Sequence, residues 1–234
     1  MWHLSAHQFA RLWAEVSSTP MPYPLRRRES APTVDEQRAH QRELDDWADA
    51  LDDKRLRGAL AVLSAPDVAI EATVSVDGGR RDLRLLGARR ASTAVLAEQV
   101  CGEAGEVNRD IRVFTGAADE LAGSLMQAIP DVRPGAQRTM SLHEDDLTSE
   151  PDPSVFQQVR STDTSRARTL LRAPRQGVGH IAVLRHDNEV GALRWVDVAE
   201  DGRYLIHGDG HLQIRPASLS GIHRELSRCL AGAR

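Results

Sequence analysis

An α+β fold is predicted for this 234-residue chain, with a central, largely antiparallel β-sheet, helical groups and two halves related by a pseudo-two-fold. Three observations predict it. The hydrophobic period switches from helical to two-residue at Val68. A hairpin signal, Asp77-Gly78-Gly79, follows directly, because glycine reaches positive φ without a steric penalty. The order helix, strands, helix then returns in the second half of the chain. The simplest way for two such units to bury their apolar faces is one continuous sheet across the pseudo-two-fold, with helices packed on it.

The elements follow in order. Ser5 and Gln8 have the spacing of a helix-capping box, and Phe9, Leu12, Trp13 and Val16 recur at helical spacing, so residues 6–16 read as a short amphipathic helix. Pro20, Pro22 and Pro24 end it and force an extended segment. Thr33 and Glu36 form a second capping box, opening a longer helix with an apolar stripe of Leu44, Trp47, Ala48 and Leu51 and acids on the other face. Leu56, Ala59, Leu60 and Leu63 mark a shorter helix that stops before Pro66. Val68, Ile70, Ala72, Val74 and Val76 then alternate with Ala69, Glu71, Thr73 and Ser75, as on a half-buried strand. Leu83 and Leu85 lie on the returning strand. Weaker strands are expected at about 92–98 and 109–114, and Thr115 is expected to cap a helix carrying Leu121, Leu125 and Ile129.

Residues 131–163 hold several prolines and the acids Glu144, Asp145 and Asp146 with little periodicity. They read as a linker, with short helical pieces near 141–147 and 153–160. After them a short helix with Leu170 and Leu171 runs into Pro174. Strands are expected at about 178–185, 190–198, 203–208 and 211–215, before a last helix with Leu219, Ile222, Leu226 and Leu230. Ile111, Val113, Ala118, Leu121, Leu125 and Ile129 match Leu212, Ile214, Leu219, Ile222, Leu226 and Leu230 at one constant offset. The organisation expected is a single domain over 1–234, with N-terminal helices in 1–54 and internal half-repeats at about 55–130 and 165–232.

The net charge of −4 lacks the basic excess of a nucleic-acid-binding surface. No apolar run approaches the roughly 20 residues of a membrane-spanning helix, and the N-terminus lacks the basic start and apolar stretch of a signal peptide. Cys101 and Cys229 have neither zinc-ligand spacing nor the signature of an activated thiolate, and read as small buried groups in a reducing compartment. A cytoplasmic location is the expectation. Arginine supplies all the basic residues except Lys54, as a G+C-rich bacterial genome would produce.

Motifs for chemistry are sparse. Gly177, Gly179 and Ala182 fit a dinucleotide fingerprint on paper, but a helix precedes them and a strand follows, the reverse of the context a pyrophosphate needs. His207, Asp209 and His211 could meet across a turn as metal ligands, yet Gly208-Asp209-Gly210 is equally an ordinary hairpin. His143 with Glu144, Asp145 and Asp146 is the other candidate cluster. No nucleophile elbow or P-loop is present. No catalytic residue, cofactor or metal is assigned, which leaves protein binding as the favoured class.

The run from Leu4 to Trp13 (LSAHQFARLW), then Pro22–Leu25 (PYPL) and Thr33–Glu36 (TVDE), resembles the opening of EspG proteins, secretion-associated chaperones of type VII (ESX) systems in actinobacteria. Trp195–Asp197, Asp201–Leu205 and Arg215–Ala217 resemble that family's later landmarks. The resemblance implies a central antiparallel sheet with two helical groups. It implies a non-enzymatic chaperone or adaptor that binds the helical tip of PE–PPE-like secretion substrates in the cytosol, with no nucleic acid, cofactor or membrane insertion. The short first hairpin, Asp77–Arg80, departs from a recognition mode that uses an extended sheet loop. The recognition surface is expected on the sheet face and the C-terminal helices, with Arg81, Arg84, Phe156, Val159, Leu219 and His223 as the partner-binding residues. The alternatives are a metal-dependent enzyme using His180, His186, His207 and His211, and a self-associating subunit.

Overall fold

A computed structural model describes residues 1–27, 33–102, 110–148, 162–208 and 210–232. Its centre is one ten-stranded sheet in which every neighbouring pair is antiparallel. The strands are β1 (Trp2–Leu4), β2 (Val68–Val76), β3 (Arg81–Arg90), β4 (Thr93–Cys101), β5 (Ile111–Ala117), β6 (Met140–His143), β7 (Arg175–Arg185), β8 (Asn188–Val198), β9 (Gly202–His207) and β10 (His211–Pro216). Their order across the sheet is β1-β5-β4-β3-β2-β7-β8-β9-β10-β6. It is palindromic about the β2–β7 pair, which runs in register from Ala69 opposite Leu184 to Ser75 opposite Val178. Each half is therefore a meander, and the two meanders meet along their first strands.

The helices are α1 (Ala6–Val16), α2 (Val34–Ala50), α3 (Lys54–Ser64), α4 (Leu121–Ala128), α5 (Asp145–Thr148), α6 (Thr162–Arg172) and α7 (Leu219–Gly232). Side-chain parity assigns them to faces. On one face Ile70, Ala72, Leu85, Ile181, Leu193 and Trp195 pack under α4 and α7. On the other, Leu86, Ala88, Val95, Ala97 and Val113 pack under α1 and α3. That second face carries a separate cluster in the other half, where Val196, Tyr204, Ile214 and Met140 meet Ala167 and Leu170 of α6.

Local chemistry explains several boundaries. Ser5 and Gln8 form the reciprocal capping box at the start of α1. Asp53 caps α3 by accepting from the Leu56 N–H at 2.9 Å, and accepts from the Trp2 indole at 2.7 Å. The expected Thr115 cap is replaced. Thr115 lies inside β5, and the chain turns through one turn of 3-10 helix at Ala118–Glu120, where the Glu120 carboxylate accepts from the Ala117 N–H at 3.1 Å. A propensity for capping is overridden here by the ladder with β4.

The region read as a linker is also different in its described part. The expected helix near 141–147 begins instead as strand β6, an edge strand on β10, followed by the short α5. Its Met140–His143 alternation is only four residues long, too short to register as a period. Before β6, the Arg203 N–H donates to the Arg133 carbonyl at 2.8 Å and the Gly135 N–H to the Arg203 carbonyl at 3.0 Å. The helical piece expected near 153–160 lies outside the described residues. Strand β1, which pairs with β5 through Trp2–Leu4, had no signal in its three residues.

Candidate functional site

The two helical groups of the second face stand apart. Helix α3 packs on β3 and β4, and α6 packs on β6 and over Val196 and Tyr204. Between them β2, β7 and the first part of β8 present a strip over which no described helix packs. Cross-strand register defines it row by row: Leu86–Glu71–Ala182–Ala192, then Arg84–Thr73–His180–Arg194, then Asp82–Ser75–Val178–Val196. Three strands at about 4.8 Å spacing make a floor roughly 14 Å wide, and seven residues of β2 give it about 20 Å of length. An α-helix with its side chains is about 10–12 Å across. The strip is thus dimensioned for one helix lying between two walls.

Its floor is chemically mixed. Ala69, Ala182, Ala192 and Leu184 are small or apolar, and Val178 and Val190 are exposed at 37% and 48%. Glu71 is half-buried, and burial together with the charge of Asp187 pushes its carboxyl up from the usual range. Burial, reinforced by Arg194 and opposed by Glu189, pushes His180 down, which favours the neutral imidazole; its Nε2 has no hydrogen-bond partner among the described residues. Arg194, directly opposite His180, is exposed and makes no ion pair or hydrogen bond among the described residues.

The residues expected to bind a partner are not gathered in one place. Arg84 belongs to the strip's central row but is 7% exposed: it donates to the Pro24 carbonyl at 3.2 Å and pairs with Asp82 at 3.2 Å. It anchors the proline segment, helped by Gln99, which exchanges hydrogen bonds with the Arg26 backbone at 2.8 and 2.7 Å. Arg81 points to the opposite face, exposed and 3.5 Å from Asp77. Leu219 and His223 lie half-buried on α7, also on that opposite face, with Leu219 packed against the core. Phe156 and Val159 lie outside the described residues. Residues that sequence reasoning passed over, Arg194 and Val178 above all, were marked by the same parity that identified the core: they sit on the alternate face of strands whose other face is buried.

Parity also separates the histidines. His180 projects from the helix-free strip, whereas His207 and His211 follow the parity of the opposite face, paired with Gln213 and His143. No group of three or more potential metal ligands occurs among the described residues, and Asp209 lies outside them. The glycines of the G-x-G-x-x-A run sit inside β7 for steric reasons. A Cβ on Gly179 would come within 2.0 Å of the Trp195 ring, and one on Gly177 within 2.8 Å of the Ser75 carbonyl. A second concavity, of about 500 Å³, mixes Arg89 and Arg185 with Asp67 and Asp119 and so presents no single sign of charge. No helix among the described residues is long and apolar enough to cross a membrane.

Comparison with known proteins adds two findings. A family model described as the EspG family matches residues 5–228. Among solved structures, the Mycobacterium tuberculosis type VII secretion system chaperone EspG5, in complex with a PE25–PPE41 dimer, is similar in fold at a TM-score of 0.60 and 17% identity, over 98% of this chain and 95% of that one. No curated protein matches significantly.

Proposed function

Since the chain belongs to the EspG family, we propose that it is a cytosolic, non-enzymatic chaperone that holds a helical type VII secretion substrate, of the PE–PPE-like heterodimer class, soluble for export. The observation that carries this reading is the strip between α3 and α6: a sheet floor of one helix's width, flanked on both sides by described helices, in which small and apolar residues surround a polar central row. A tip of apolar helices exposed on a substrate self-associates in water, and a groove of this shape covers it. The complex of EspG5 with a PE–PPE dimer supports the choice of partner class.

We also read the two runs at about 55–130 and 165–232 as copies of one ancestral unit within a single domain. The supporting observation is that Leu121, Leu125 and Ile129 of the first run and Ile222, Leu226 and Leu230 of the second all enter the same core cluster.

Co-expression of the chain with each PE–PPE-like heterodimer from the same organism tests the function. The expected result is a stable complex on size exclusion and a heterodimer that is soluble only in the chain's presence. Absence of a complex across the full set contradicts it.

A further inference from the structure

The geometry points to Arg194 as the charge that selects the strip's occupant: a partner helix that brings an aspartate or glutamate to the middle of an otherwise small and apolar face. This rests on the chaperone reading above and names the chemistry of its partner. The row that crosses the floor is Arg84–Thr73–His180–Arg194. Arg84 is already neutralised by Asp82 and held by the Pro24 carbonyl. Burial and Arg194 itself push His180 toward its neutral form, against the opposing charge of Glu189, and Glu71, a carboxylate of the floor, is shifted toward its neutral form by burial and by Asp187. Arg194 is left as the exposed cation of the row without an ion pair among the described residues.

A helix laid on this floor strips water from that guanidinium. A helix without an anion leaves a charge desolvated and unpaired, which is strongly unfavourable, whereas a carboxylate over it gains a charge-assisted and bidentate contact. Selection therefore works in both directions: acidic helices are favoured, and helices with lysine or arginine at the same position are repelled. The small residues around it, Ala182 and Ala192 in the neighbouring row and Thr73 two strands away, leave room for a partner side chain to reach the guanidinium.

The test measures the affinity of the purified chain for a PE–PPE-like heterodimer that it retains in co-expression, using wild type, Arg194→Gln, Arg194→Glu and, as a control on the opposite face, Arg224→Glu. Arg194 and Arg224 are both exposed, so folding is checked by circular dichroism and is expected to be unchanged. The inference predicts that Arg194→Glu weakens binding at least tenfold and Arg194→Gln less. It also predicts that Arg224→Glu stays within about twofold and that an Asp or Glu→Arg change on the heterodimer's helical tip restores binding to Arg194→Glu. Wild-type affinity in Arg194→Glu, or a larger loss in Arg224→Glu, overturns it while leaving the chaperone reading intact. A wild-type chain that retains no heterodimer overturns the chaperone reading and this inference together.

Discussion

At the scale of single residues, the second half is pinned by a buried ion pair. Arg203, fully buried, donates to both carboxylate oxygens of Asp197 at 2.6 and 2.9 Å and to the Pro130 carbonyl at 3.0 Å, with Trp195 5.4 Å from its guanidinium carbon. Removing one member leaves the other charge buried, so Asp197→Ala is expected to lower stability by about 3–5 kcal/mol in denaturant melts. Gly179→Ala is expected to be destabilising too, because the Trp195 ring occupies the space a methyl would need. Tyr204 gives a pH signature. Burial and its hydrogen bond to Asp201 push its hydroxyl up to about 12. A raised folded value means that the contribution is complete below the unfolded value near 10 and is lost as pH rises from there toward 12. Tyr204→Phe should remove that alkaline slope and, by leaving the Gln137 N–H without its acceptor, cost about 1–3 kcal/mol at neutral pH. None of these roles was legible in the sequence. The landmark segments Trp195–Asp197 and Asp201–Leu205 stood out by resemblance, but their contacts join residues up to 73 positions apart, as with Arg203 and Pro130.

Helices and strands divide by the length of their patterns. The long periodic runs, α1, α2, α3, β2 and α7, were readable because eight or more residues of period 3.6 or 2 leave few alternatives. β1 and β6 were not, since three or four residues carry no period and exist only through their neighbours β5 and β10. The strip was half legible. Alternation in β2 placed Glu71, Thr73 and Ser75 off the core face, but which strands would remain uncovered depends on α3 and α6 lying over different halves of one sheet. Caps offer a direct check on the readable part. Ser5→Ala should destabilise by about 0.5–2 kcal/mol, as loss of a capping hydroxyl does. The Asp53 carboxyl is held below its usual range by the Leu56 N–H and then the Trp2 indole. Its contribution is therefore present above the unfolded value and is lost as pH falls through the folded one. Asp53→Asn should flatten the acid limb of the stability curve, measured as melting temperature against pH.

For the whole molecule, the palindromic sheet has one consequence for function. Its described helices cover the outer parts of one face and none of them packs over the seam between the halves, so the strip is formed by both halves and by neither alone. A partner that docks there must be sensed by β2 and β7 together. The most direct measurement is site-specific photo-cross-linking with a purified PE–PPE-like heterodimer, using a photoreactive residue at Val178 on the strip and, separately, at Arg224 on α7. The account predicts strong adducts from Val178 and few from Arg224. Adducts from Arg224 with none from Val178, or none from either position, would contradict it.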